Sequence, residues 1–141
     1  MIFPAILLYS TALFSAYPGG DTLEIYVNGK QLLQQFIHMD KSVKTVSFPQ
    51  PAASDKVEIY YSHCGTPGTN RVLTLKDDKN NLVKEFKFPD TKAKRASMTF
   101  TWKDLKRSAS SKLNVFYQSK EIPTARLIAV LSPSNQNLAR K

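Results

Sequence analysis

Alternation at period two, in short runs cut by turn residues, is the feature that most constrains the fold of this chain. Leu23, Ile25 and Val27 alternate with Thr22, Glu24 and Tyr26. Successive side chains of a strand point to opposite faces, so this pattern marks a strand with one apolar and one wet face. Asn28-Gly29 follows at once. Both residues accept positive φ, and the pair suits a two-residue hairpin turn. The return strand is then expected over residues 30–39. Leu32, Leu33, Phe36 and Ile37 would also share one face of a helix, but the turn and the lack of a helix cap at Lys30 decide for a strand.

The pattern recurs along the chain. Residues 42–48 run into Pro49-Gln50-Pro51, which cannot continue a central strand. Val57, Ile59 and Tyr61 face one way, while Lys56, Glu58 and Tyr60 face the other. Gly65-Thr66-Pro67-Gly68 reads as a turn, and 77–81 reads as a polar hairpin loop between strands 71–76 and 82–88. Met98, Phe100 and Trp102 alternate with Ser97, Thr99 and Thr101, and Leu113, Val115 and Tyr117 with Asn114, Phe116 and Gln118. Residues 125–131 are apolar on both phases, as in a central strand, and 103–111 can hold one short helical turn. The expected fold is all-β: a single antiparallel, Ig-like β-sandwich of about nine strands over residues 17–131, with a polar tail at 132–141. Its core should gather Trp102, Met98, Phe100, Leu113, Val115, Ile59 and Leu127.

Residues 1–16 carry no charged side chain and turn from apolar to small at Ser10, Ala12, Ser15 and Ala16. That is the layout of a cleaved secretory signal, and the run is shorter than the roughly 20 residues a spanning helix needs. The expected location is therefore periplasmic or extracellular, with no transmembrane span once the signal is removed. The sequence contains no Asn-x-Ser/Thr sequon, which favours a bacterial envelope protein over a glycosylated eukaryotic one. In overall pattern the chain resembles small exported β-sandwich proteins of uncharacterised function. The resemblance rests on Tyr26-Val-Asn-Gly-Lys30 and on Tyr60-Tyr-Ser-His-Cys-Gly65 with Gly68 and Arg71. It implies a fold and brings no activity with it.

One Cys and two His cannot by themselves complete a standard four-ligand zinc site, and a lone Cys excludes an internal disulfide. The densest chemical cluster is 63–71. There His63, Cys64 and Arg71 border a glycine-rich turn that could form an anion pocket or activate a thiolate. Adjacent strand residues point apart, so His63 is badly placed to activate Cys64, which is expected to be a buried space-filler. The same splaying within His38-Met39 and His63-Cys64 argues against a copper site. Asp77-Asp78 reads as turn chemistry, and Asp104 as the cap of a short turn. The motifs of serine hydrolases, phosphate-binding loops and zinc proteases do not occur. No catalytic residue, metal or cofactor is expected.

Charge carries more information. The chain holds 20 Lys+Arg against 11 Asp+Glu, and residues 71–112 hold 12 of those cations with 5 of the carboxylates. The excess gathers in the hairpin 71–88 and around Lys92, Lys94, Arg95, Lys103, Lys106 and Arg107. A clustered basic surface concentrates anionic partners, although lysines also protect exposed strand edges. Nucleic acid is the weaker reading, since the signal points to export and no nucleic-acid motif occurs. Tyr26, Tyr60 and Phe116 fall on outward phases and would form a binding platform if the fold groups them. The chain is thus expected to be an exported binding or structural module. Its candidate binding residues are His63, Arg71, Lys92, Lys94, Arg95, Lys106, Arg107, Tyr26 and Tyr60. Its partner would be an anionic or proteinaceous envelope component. The alternative is a small redox, metal-binding or hydrolytic protein centred on His63 and Cys64.

Overall fold

The structure is a computed structural model that describes residues 20–49, 52–105 and 112–134. The expected signal segment 1–16, the candidates Lys106 and Arg107, and residues 135–141 of the expected tail lie outside the described residues. The described residues are all-β, with ten strands and one 3-10 turn. The strands are β1 (Thr22–Val27), β2 (Lys30–Phe36), β3 (Lys44–Pro49), β4 (Lys56–His63), β5 (Thr66–Pro67), β6 (Val72–Lys76), β7 (Leu82–Lys87), β8 (Met98–Thr101), β9 (Leu113–Gln118) and β10 (Arg126–Ser134). The 3-10 turn is Trp102–Leu105, and Asp104 Oδ2 caps it by accepting from the Thr101 N–H and hydroxyl at 2.8 and 2.9 Å. The strand additional to the expected count of about nine is β5, a two-residue strand in the segment read as a turn.

The strands form two five-stranded sheets. The first has the order β2-β1-β4-β5, with β8 also paired to β4; the second has the order β3-β10-β9-β6-β7. Every neighbouring pair is antiparallel except β3 and β10, which run parallel. That exception corrects the all-antiparallel expectation. The chain leaves β2 at the edge of the first sheet and enters the second sheet beside the last strand. A pair so distant in sequence needs no hairpin, so its direction is free of the antiparallel constraint that a tight turn imposes. The same pairing carries β10 past Leu131 to Ser134, opposite Pro49, into the expected tail.

Alternation held along the strands. Leu23, Ile25, Val57, Ile59, Tyr61, Met98 and Phe100 of the first sheet are buried, as are Val46, Phe48, Leu73, Leu75, Leu113, Val115 and Tyr117 of the second, all in one apolar cluster. Aromatic contacts join the sheets. Tyr61 stacks on Tyr117 at 4.3 Å, Phe100 on Phe86 at 5.3 Å, and Phe48 meets Trp102 edge-on at 5.4 Å. Leu127 is not in this core. A register shift between Leu127 and Ala129 turns both Ile128 and Ala129 inward and leaves Leu127 partly exposed. The return strand β2 stops at Phe36, earlier than expected, and His38 and Met39 stand exposed in the turn that follows.

Candidate functional site

Two clusters stand out, one on each face of the first sheet. The outer one arises from register. β1 and β4 pair so that Thr22 lies opposite Ser62, Glu24 opposite Tyr60, and Tyr26 opposite Glu58. All six belong to the phase that alternates with buried residues, so they share the outer face. Tyr26 and Tyr60 meet edge-on at 5.6 Å. Onto them folds Arg95, from the connection between β7 and β8. Its guanidinium lies 3.9 Å from the Tyr60 ring centre and 5.6 Å from that of Tyr26. Its NH2 group donates to Glu24 Oε2 at 2.8 Å and to Tyr26 Oη at 3.1 Å. The hydrogen bond to Tyr26 and the charge of Glu24 hold the guanidinium pKa above its ordinary value.

Beside this stack the sheet edge is split. On the edge of β4 that faces away from β1, β8 pairs with residues 56–59 and β5 with Ser62 and His63. Tyr60 and Tyr61 have no ladder partner there. The gap opens into a cleft of about 170 Å³ between Pro67 and Ala96, lined also by Thr22, Glu24, Tyr60, Ser62, Lys94 and Arg95. Three of the candidates, Tyr60, Lys94 and Arg95, therefore line one cleft, and Tyr26 buttresses it. Lys92 is exposed in the same connection. Phe116 is not part of this group: it lies on β9 in the second sheet, where Lys76 Nζ sits 5.1 Å from its ring centre.

The inner cluster lies between the sheets, at the end of the strands. The inward phase of β1 continues back to Asp21, that of β4 ends at His63, and that of β9 continues to Ser119. His63 Nε2 lies 2.8 Å from Tyr117 Oη and 3.3 Å from Ser119 Oγ, while Nδ1 lies 3.6 Å from Asp21 Oδ2. Asp21 also accepts from Tyr61 Oη at 2.8 Å, and Arg126 donates to the same hydroxyl at 3.2 Å. Burial pushes the Tyr61 pKa well above the ordinary tyrosine range, and the hydrogen bond to Asp21 acts in the same direction. Burial also raises that of Tyr117. Gly68 closes the cluster: a Cβ there would strike the Tyr117 hydroxyl, Glu121 and His63.

Asp21, His63 and Ser119 stand in the order of a carboxylate, imidazole and hydroxyl relay. Ser119 is 3% exposed, and its Oγ also accepts the Ile122 N–H at 3.2 Å. A nucleophile must reach a substrate carbonyl, so this hydroxyl is placed to bind the strand end together and not to attack. Arg71, expected to donate to an anion beside His63, is likewise committed inside. It is buried at 3%, lies against the Phe88 ring, and donates to the Pro89 and Ala96 carbonyls at 2.9 and 3.4 Å. An inward position on the last residue before β6 leaves it tying down the connection that carries Lys94 and Arg95.

Cys64 is exposed, contrary to its expected role as a buried filler. With φ of 50° and 93°, Cys64 and Gly65 are the two tip residues of a tight hairpin that pairs His63 with Thr66. The tip of such a turn points to solvent, which also separates the thiol from the inward His63 ring. Thr22, Glu24, Ser62, Asp21, Tyr117 and Ser119 were not among the expected site residues. Their phase was legible, but the pairing that gathers them was not. No group of three or more His, Cys, Asp or Glu side chains able to hold a metal ion occurs among the described residues. None of their helices is long and apolar enough to cross a membrane. No protein-family model matches the chain, and no curated protein matches it significantly.

Proposed function

We propose that this chain is an exported, non-catalytic binding module: a single Ig-like β-sandwich whose basic outer cleft meets an anionic component of the cell envelope. The observation that carries the reading is the convergence of Lys94, Arg95, Tyr26 and Tyr60, from three separate segments, around one cleft. Arg95 is held in place by two rings and a carboxylate before any partner arrives, so little ordering is needed on binding. Lys92 and Lys94 are exposed beside it and make no ion pair among the described residues, which leaves their charge to the field around the cleft.

Binding of the purified protein to an immobilised polyanion tests this reading. Retention should fall as salt rises, and replacing Lys92, Lys94 and Arg95 together by Gln should weaken it further. Salt-independent retention, or equal retention by the triple variant, overturns it. Export is tested by the mass of the protein from its native host, where loss of residues up to about Ala16 is expected. An intact Met1 in the envelope fraction refutes the cleaved signal. Hydrolysis of an activated ester that disappears in Ser119→Ala would overturn the non-catalytic reading.

A further inference from the structure

Four groups around the outer cleft have polar atoms with no partner among the described residues. They are the Thr22 and Ser62 hydroxyls, the Lys94 ammonium, and the Nε and NH1 of Arg95, whose NH2 alone is engaged. On the same outer face Glu24, Tyr26, Glu58 and Tyr60 are all bonded to neighbours. Uncommitted donors are therefore concentrated at the cleft, and they surround a space that the split edge of β4 opens.

Charge, size and lining select a ligand class. Two cations and the Glu24 carboxylate leave one net positive charge at the cleft. A carboxylate balances that charge, whereas a phosphate monoester carries about −1.5 to −2 at neutral pH and would also meet Glu24. An apolar cavity of about 150 Å³ holds a benzene ring. A cleft of about 170 Å³ thus takes one six-membered ring and not a length of polymer. Hydroxyls at Thr22 and Ser62 suit a ring that carries hydroxyls of its own. The Tyr60 edge, Pro67 and Ala96 suit the C–H faces of such a ring.

We propose that this cleft binds a single carboxylated sugar ring, of the uronic-acid type found as a residue of acidic glycans. This rests on the reading of the chain as an anion-binding module and narrows it. The ring carboxylate is received by Lys94 and a free N–H of Arg95, and the ring hydroxyls by Thr22 and Ser62. Arg95 is presented by Tyr60 and Glu24, which fix its plane before the sugar enters.

Titration of the purified protein with galacturonate and with trigalacturonate, followed by NMR or calorimetry, tests the site, with glucose as the neutral control. Both acidic sugars should bind saturably, and glucose about tenfold or more weaker. Arg95→Gln should weaken galacturonate by about tenfold or more. Lys94→Gln, at an exposed residue with no ion pair, leaves the fold intact and should reduce the preference for galacturonate over glucose. Thr22→Val should weaken both sugars and leave that preference unchanged. Equal binding of glucose and galacturonate, or an unchanged preference in Lys94→Gln, overturns the proposal. Capture of phosphatidylglycerol vesicles or of inorganic phosphate without galacturonate binding keeps the anion-binding reading and overturns the sugar site. Failure of the wild-type protein to bind any of these anions overturns both.

Discussion

At the scale of single residues, backbone conformation decides the chemistry of Cys64. A residue at φ near 50° in a two-residue turn has its neighbours folded away from it, so the thiol faces water. An exposed thiol has no packing to protect it from reagents or oxidants. Cys64 should therefore react with a thiol reagent in the native protein about as fast as after unfolding. It should also form a disulfide-linked dimer under oxidising conditions that Cys64→Ser abolishes. Native labelling much slower than unfolded labelling, measured by stopped absorbance traces, would place the thiol inside. Sequence pattern pointed to burial here because the apolar phase ran close by. The His63-Cys64-Gly65-Thr66 segment closes a hairpin instead, and a turn tip suspends alternation.

At the scale of elements, loops are held by carboxylates that accept backbone N–H groups. Glu121, in the β9–β10 connection, accepts the Thr69 N–H at 2.9 Å through one oxygen and 3.2 Å through the other. Burial opposes ionisation there, but the hydrogen bonds outweigh it and hold the pKa down to about 2, against 4.5 ordinarily. Lys44 and Ser42 depress Asp40 in the same way, and the Thr101 N–H depresses Asp104. A carboxylate whose folded pKa is lowered stabilises the fold in full above its unfolded pKa. That contribution is lost as pH falls towards the folded value. For Glu121 the window runs from about 4.5 down to about 2. Glu121→Gln should therefore lower the melting midpoint at pH 7 and have almost no effect at pH 2. An equal loss at both pH values would show that the side chain acts by packing alone. Hairpin positions of this kind were legible in the sequence at Asn28-Gly29 and at Asp77, whose Oδ1 accepts the Lys79 and Asn81 N–H groups. The Glu121–Thr69 tie was not, because it spans 52 residues.

At the scale of the whole molecule, stability rests on the apolar cluster shared by the two sheets. Trp102 follows β8 of the first sheet, packs edge-on against Phe48 of the second, and is 4% exposed. Trp102→Ala removes a large side chain and leaves a cavity between the sheets, so it should cost roughly 3–5 kcal/mol. Equilibrium denaturation measures this, and a loss below about 1 kcal/mol would mean the site collapses without penalty. The basic charge follows a different logic. It gathers on the connection between β7 and β8 and on the β7 edge, where lysines are free of the core. Arg95 leaves that pattern because the fold lays it across two tyrosines on the outer face of the first sheet.

Sequence by itself determined the phase of almost every strand. Alternation at Leu23-Ile25, Val57-Ile59-Tyr61 and Leu113-Val115-Tyr117 is a local property, set by the opposite directions of neighbouring side chains. It extends to the outward Glu24 and Tyr60 and to the inward His63 and Ser119. Tertiary structure alone decided which of these residues meet. Pairing between strands distant in sequence sets Glu24 opposite Tyr60, places β3 parallel to β10, and leaves the edge of β4 open between β5 and β8. No local pattern encodes those distances, because register and strand order come from how two whole sheets bury their inner faces against each other.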